Sequence, residues 1–529
     1  MEWSQAMLGS TPAGEHAVPT EKVVIVGAGI GGLATAVDLA ARGVDVTVLE
    51  RTGSPGGKMR EVRVGGVGID AGPTVLTMRW VFEELFQHAG TSLDAELSLE
   101  QAEVLARHAW SEHERLDLFA DLDRSADAVG VFSGADEARR FLAFNAEARA
   151  IYRTLKDPFI RSPRTNPLGL TRRVGPGGLV GLLNIKPYST LWKVLSAQFR
   201  DPRLRQLFGR YATYAGSSPF LAPATLMLIA HVEQDGVWLV QGGMHQLALT
   251  MARVAERNGA RIRYGAEVVE VLTQNGRARG VRLAGPDQGR NGDSEQIEAD
   301  AVVLNTDASA AGAGLLGIGV ARAVPPTRPA DRSLSAVTLN LWARTEGFPL
   351  VRHSVFFSSD YAAEFDDIFN HARLPSEPTV YICAQDRGAA SVPRPSQQPD
   401  GPERLLMLIN APPTGDRHNF DHDEIEQCEA RTFSLLERCG LHVERRPERM
   451  HITTPTQFER LFPATGGSLY GRASHGWQAS FSRPGSRTKV PRLYLAGGSV
   501  HPGAGVPMAT LSGRLAAASL LADLASTRR

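Results

Sequence analysis

Three glycines and one acid have the types and the spacing to hold a dinucleotide. They are Gly27, Gly29 and Gly32 in the run Val23-Val24-Ile25-Val26-Gly27-Ala28-Gly29-Ile30-Gly31-Gly32, with Glu50 closing Val46-Thr47-Val48-Leu49-Glu50, about 20 residues further on. Gly27 permits a sharp turn out of a strand, Gly29 lets a pyrophosphate approach the backbone, and Gly32 lets the following helix lie close to the sheet. That helix, from about Gly29 to Arg42, turns its positive N-terminal end toward the phosphates. A carboxylate at Glu50 accepts hydrogen bonds from ribose hydroxyls and repels a 2′-phosphate, which disfavours NADP. Glycines also serve plain packing in strand-turn-helix units. The strand before them and the strand and acid after them are what make this pattern specific.

A second glycine cluster follows in Arg51-Thr52-Gly53-Ser54-Pro55-Gly56-Gly57-Lys58. Gly56 and Gly57 allow backbone contact with a cofactor, and Lys58 can neutralise a phosphate. Plain nicotinamide dehydrogenases lack this extension. It resembles the doublet-glycine continuation of two-dinucleotide-domain flavoproteins and points to FAD rather than NAD. The loop Asp70-Ala71-Gly72-Pro73-Thr74 resembles one that passes close to a flavin. Near the C-terminus, Leu493-Tyr494-Leu495-Ala496-Gly497-Gly498 is a strand running into glycines. His501-Pro502-Gly503-Ala504-Gly505-Val506-Pro507 is a tight loop before a helix from Met508 to about Leu524. Gly498 would approach the pyrophosphate and ribityl chain. The helix starting near Val506, Pro507 and Met508 would direct its N-terminus at the flavin N1–C2=O edge, stabilising reduced flavin. Many such flavoproteins carry a ribityl-binding acid just after the strand, where this chain has Gly498-Ser499.

Composition limits the classes available. The chain has 529 residues, 43% hydrophobic and 22% charged, with 57 basic and 57 acidic residues. That length favours two domains, and the zero net charge gives no argument for nucleic acid. Cys383, Cys428 and Cys439 are widely spaced and read as buried small hydrophobes, with no disulfide framework and no thiolate zinc site. No window is long and apolar enough for a membrane span. Residues 1–20 read as a disordered leader, Gly285–Gln296 as a hairpin tip and Asp386–Glu403 as a surface loop. Strand and helix patterns recur around 242–271, 302–304 and 493–524. Residues 21–90, 235–310 and 485–529 are therefore expected to build one nucleotide-binding domain. Residues 91–234 and 311–484 are expected to form a second domain over it, with a substrate pocket between them.

Gly27 to Glu50, Pro55 to Lys58, Gly236-Val237-Trp238-Leu239-Val240-Gln241-Gly242-Gly243-Met244, and Leu493 to Pro507 with Ser512-Gly513 together resemble the bacterial phytoene-desaturase-type carotenoid desaturases. So do Phe199 to Phe208 and Ala215-Gly216-Ser217-Ser218-Pro219. The likeness covers about 20 to 525. Within the family, Gly72 to Arg79 and Leu105 to Trp110 are most similar to the 1-hydroxycarotenoid 3,4-desaturases, also called methoxyneurosporene dehydrogenases. The resemblance implies an α/β fold: a Rossmann-like FAD-binding domain assembled from separated segments and a mixed α+β substrate domain, as in amine oxidases. It implies FAD-dependent 3,4-desaturation of a 1-hydroxy or 1-methoxy acyclic C40 carotenoid. The implied cofactor contacts are Gly27, Gly29, Gly32, Glu50, Arg51, Gly57, Lys58, Gly72, Pro73, Thr74, Val268, Asp307, Gly498, Val506, Pro507 and Met508. Asp307, like Asn305, is equally well explained as a turn after a buried strand.

A hydrocarbon C–H is too weakly acidic for a side-chain base to deprotonate first. Hydride loss to flavin comes more easily, because the cation spreads along the polyene, and proton loss then needs only a weak base or water. No catalytic triad or metal cluster is required. His501 has two readings, a proton acceptor near the flavin or a ring that ties down its own loop. From Ile151 to Ser218 twelve basic residues stand against Asp157 and Asp201, interleaved with aromatic and aliphatic side chains. This suits an anionic lipid surface reached through 151–232, or a solvated face with acidic neighbours. The expected setting is the inner face of a bacterial membrane, with oxygen or quinone as electron acceptor. Alternatives are a phytoene desaturase, a carotenoid isomerase or saturase, an amine-oxidase-like enzyme, or a non-catalytic lipid-binding escort.

Overall fold

The computed structural model describes residues 21–285, 294–389 and 401–527. The leader and most of both the Gly285–Gln296 hairpin tip and the Asp386–Glu403 loop lie outside them.

The glycine loops hang from a five-stranded parallel sheet. Its order is Leu493–Leu495, Ala301–Leu304, Lys22–Val26, Asp45–Glu50, Arg261–Tyr264. Three stretches far apart in the chain thus supply adjacent strands. Parallel strands are buried on both faces, which is why Val23–Val26 and Ala301–Leu304 read as unbroken apolar runs. The helix Ile30–Ala40 has no polar side: all eleven residues are buried. It lies under the sheet, against the helices His245–Arg257 and Val506–Thr527. Its approach to the last helix is close. A methyl on Gly513 would stand 2.2 Å from the Gly31 carbonyl oxygen, and Thr35 Oγ1 donates to Gly31 O (2.8 Å) with Gly513 O 3.1 Å away.

A seven-stranded mixed sheet stands over the first. Its order is Met450–Thr453, Ser335–Ala343, Glu403–Ala411, Val380–Ala384, His353–Phe356, Val104–Ala109, Arg115–Phe119. Only His353–Phe356 and Val104–Ala109 pair in parallel. Helices from Leu122 to Asp235 cover one side and share a core around Phe141, Phe144, Phe199 and Phe208.

Packing redistributes the basic stretch. Phe199, Leu204, Leu207 and Phe208 are buried, Arg210 is 5% exposed, Arg203 pairs with Asp201 and Glu114, Arg161 with Glu84, and Lys186 with Glu147. The interleaved apolar residues are therefore mostly core, and several of the cations have acidic partners. What stays exposed is smaller: Leu168, Leu183, Tyr188, Leu221 and Trp477, beside the exposed Arg164, Arg172 and Arg173. Among the described residues no helix is long and apolar enough to cross a membrane. The three cysteines are buried, and burial pushes each thiol up to about 11.

Candidate functional site

A single cavity of about 1140 Å³ runs from the ends of the parallel strands to the seven-stranded sheet. Gly27, Gly29, Glu50, Arg51, Gly57, Lys58, Gly72, Pro73, Thr74, Val268, Asp307, Gly498, Val506, Pro507 and Met508 all line it. Gly32 and His501 do not.

Each loop has a local cause. Gly27 holds φ 101°, a left-handed conformation that glycine alone adopts freely. A methyl on Gly29 would lie 2.7 Å from Asn305 Oδ1, and one on Gly32 would lie 2.2 Å from the Gly27 carbonyl oxygen. Gly32 thus acts beneath the site, seating the helix on the turn. The helix begins at Ile30 without a side-chain cap, so its first amides remain for a ligand. The last helix brings Val506, Pro507 and Met508 of its first turn to the same cavity.

Glu50, 6% exposed, accepts from Ala28 N through Oε2 (2.8 Å) and from Thr52 N and Oγ1 through Oε1 (2.9 and 2.8 Å). The acid is locked at its strand end, with a remaining Oε2 lone pair available to a ribose hydroxyl.

Lys58 lines the cavity with its ammonium tied to the protein. Its Nζ donates to Leu469 O (2.8 Å) and stands 3.8 Å from Asp307 Oδ2. The Asp307 side chain is 3% exposed and lies against this ammonium. Burial lowers the Lys58 pKa, opposed by the Asp307 charge. Arg51 turns outward to the carbonyls of Arg460 and Leu461.

His501 sits behind the wall. Its Nε2 lies 3.0 Å from Phe159 O and 2.9 Å from Ser162 O, and its ring packs edge-on against Phe159. Burial pushes it down to about 4, so the neutral ring donates from Nε2 and ties the C-terminal loop to residues 159–162. The geometry favours the tethering reading over proton acceptance at the flavin.

The cradle fits FAD on an independent observation. Asn305 Oδ1 and Thr306 Oγ1 are buried and have no hydrogen-bond partner, and Asp307 Oδ2 has no hydrogen bond beyond its 3.8 Å ion pair with Lys58. They stand at the C-terminal end of the strand Ala301–Leu304, beside the central strand Lys22–Val26, in the crevice where open parallel sheets bind ligands. Unpaired buried acceptors facing bare glycines are what an adenine dinucleotide with free hydroxyls would satisfy.

Sequence reasoning missed other wall residues. Arg483, 3% exposed, donates to the carbonyls of Tyr470, Gly498 and Arg472, and burial lowers it to about 10. Arg210, Tyr214, Glu233, Thr379 and Tyr381 also line the cavity. None belongs to a recognisable motif. Their common signal is a polar residue inside an apolar run, and that is weak in a single sequence. The mouth is legible from exposure: Tyr188 and Trp477 line the cavity, are 80% and 38% exposed, and meet edge-to-face at 5.4 Å. Among the described residues no cluster of metal-ligating side chains occurs.

Comparison with known proteins agrees with this geometry. The sequence model of the flavin containing amine oxidoreductases matches residues 30–521. A hydroxyneurosporene desaturase of Rubrivivax gelatinosus is 55% identical over 96% of this chain and 95% of its own length. One of the same name from Cereibacter sphaeroides is 46% identical over 96% of this chain and 99% of its own. Among solved structures, an oxidoreductase from Methanosarcina mazei superposes with a TM-score of 0.57 at 17% identity, over 95% of this chain and all of that one. That last likeness is one of fold.

Proposed function

We propose that this chain, which belongs to the flavin-containing amine oxidoreductase family, is an FAD-dependent carotenoid desaturase acting on a 1-hydroxy acyclic polyene and forming its 3,4 double bond. The observation that carries this reading is the continuity of the cavity. One end is the glycine cradle, and the walls toward the other end are Leu170, Leu226, Ile229, Val232, Val355 and Leu408. The opening is at Tyr188 and Trp477. A polyene leaves lipid for a wall that is largely aliphatic. The names of the 55% and 46% identical relatives support the same substrate class.

The reaction removes a hydride from one carbon and a proton from its neighbour, leaving a carbon–carbon double bond. Bound FAD supplies the two-electron acceptor for the hydride, and oxygen or quinone restores it. The protein's part is positional. The aliphatic wall excludes water and holds the chain straight. The proton leaves an already delocalised cation, so no strong base is needed. The helix N-terminus at Val506 lies beside the cavity, where its dipole favours negative charge.

The exposed Leu168, Leu183, Tyr188, Leu221 and Trp477 with Arg164, Arg172 and Arg173 support peripheral attachment to an anionic membrane, in a bacterium its inner face. The decisive experiment supplies purified, FAD-loaded protein with vesicles carrying a 1-hydroxy acyclic carotenoid and either oxygen or a quinone. The pigment spectrum should move to longer wavelength as conjugation extends. An unchanged spectrum refutes desaturation.

A further inference from the structure

In the aliphatic part of the cavity wall stands a charged cluster that a hydrocarbon substrate cannot use. Arg210 and Tyr214 lie on the 3-10 turn Arg210–Ala215, and Glu233 on the helix Leu228–Asp235. All three line the cavity between neighbours such as Leu226, Ile229 and Val232. Arg210 is 5% exposed and Glu233 6%. Arg210 Nη1 donates to the Tyr214 hydroxyl (2.5 Å), which donates to Glu233 Oε1 (3.1 Å). Arg210 Nη2 lies 3.8 Å from Glu233 Oε1 and 3.5 Å from His108 Nε2. Tyr211 donates to Glu233 Oε2. The cluster leaves one nitrogen unpartnered: Arg210 Nε is buried and has no hydrogen-bond partner.

We infer that Arg210 and Glu233, bridged by Tyr214, bind the hydroxyl of the substrate's end group, selecting hydroxylated polyenes and setting which bond lies at the flavin. The inference rests on the desaturase reading above. A tertiary hydroxyl both donates and accepts. It can donate to Glu233 Oε1 and accept from Arg210 Nε–H, giving a partner to the cluster's unpartnered nitrogen. A plain hydrocarbon end would displace water from these groups and return nothing, which is costly for buried charge. Sites built to bond a hydroxyl reject analogues lacking it far more strongly than apolar pockets reject an extra methylene.

The position also suits the reaction. Only two carbon–carbon bonds separate C1 from C3, so a group that holds the 1-hydroxyl must stand close to the cofactor. The cluster reaches the cofactor side through Tyr381. The Arg210 charge acts on the Tyr381 hydroxyl, which bonds Thr74 Oγ1 at 2.6 Å and His353 Nδ1 at 2.8 Å. Thr74 belongs to the Asp70–Thr74 loop, whose Gly72 and Pro73 line the same cavity.

The test compares FAD-loaded wild type with Tyr214→Phe and Glu233→Gln. Vesicles carry either a 1-hydroxy acyclic carotenoid or the acyclic carotene of equal length without the hydroxyl. Binding is read by quenching of tryptophan fluorescence, and turnover as kcat/KM. Wild type should prefer the hydroxylated polyene by about ten- to one-hundred-fold, the range of a hydrogen bond to a charged group. Glu233→Gln should lower both readouts more for that polyene than for the carotene, and Tyr214→Phe, which loosens the Arg210–Glu233 pair, should do the same to a smaller extent. Equal losses on both polyenes would make the cluster a structural tie and overturn the inference. So would equal use of both by wild type, a comparison that decides the matter even where a variant loses FAD. If wild type desaturates neither polyene, the desaturase reading itself has failed.

Discussion

Glu364 allows a quantitative test of how the cavity wall is built. Its carboxyl is 1% exposed on the helix Tyr361–Phe369. It accepts from Thr379 Oγ1 (2.6 Å), Thr379 N (3.2 Å) and Asn410 Nδ2 (3.0 Å), and both partners line the cavity. Burial outweighs these bonds and pushes the carboxyl from 4.5 up to about 7. The sign follows. As pH rises, the unfolded chain loses this proton first, near 4.5, while the folded protein keeps it to about 7. Stability therefore falls with rising pH across that window and is level above it. At about 1.4 kcal/mol for each pH unit, the fall is about 3 kcal/mol. Glutamine cannot ionise, so Glu364→Gln removes this dependence. Any altered hydrogen bond adds only a constant offset. Urea midpoints of FAD-loaded wild type and variant, measured from about pH 4.5 to about pH 8, should show the variant gaining about 3 kcal/mol relative to wild type. The infrared band of a protonated carboxyl should disappear near neutral pH in wild type alone. A stability difference independent of pH, or a band lost already near pH 4.5, would refute the reasoning.

Gly32→Ala places a methyl 2.2 Å from the Gly27 carbonyl oxygen. It should destabilise by about 1–3 kcal/mol and lower the FAD retained after gel filtration, and full retention with an unchanged melting temperature would contradict the packing argument. His501→Gln keeps an N–H donor for the carbonyls of Phe159 and Ser162 and should preserve desaturation with an unaltered pH profile, whereas His501→Ala should cost about 1–3 kcal/mol. A folded, FAD-loaded Gln variant without turnover would return His501 to catalysis. Leu183→Asp with Tyr188→Asp, at 80% exposed positions, should abolish co-sedimentation with anionic vesicles while FAD content stays constant, and undiminished binding would place the membrane contact elsewhere.

Much of the cofactor cradle was legible because its causes are local. A turn at φ 101° requires Gly27, and close approach requires Gly29. An acid at a strand end is readable from a handful of neighbouring residues. The seven-stranded sheet was not legible, since the pairing of Val104–Ala109 with His353–Phe356 joins segments about 250 residues apart and leaves no periodic trace. The same distance problem hid the Arg210–Glu233 cluster. In sequence Arg210 is one more cation in a basic run, and only packing reveals that it is buried opposite Glu233. The basic, aromatic-rich composition suggested a broad lipid face. In the fold its aromatic residues turn largely inward, and a smaller exposed patch remains at the cavity mouth. Lys58 was legible as a cavity residue, but its pairing with the buried Asp307 depends on packing and was not.

The most direct measurement is an anaerobic half-reaction. Purified protein with its bound FAD is mixed, without oxygen or quinone, with vesicles carrying a 1-hydroxy acyclic carotenoid, and flavin and polyene absorption are followed together. The account predicts that the oxidised-flavin band bleaches in step with a longer-wavelength polyene spectrum, one double bond for each flavin. A protein that copurifies without flavin, or whose flavin stays oxidised while the polyene remains unchanged, would contradict it.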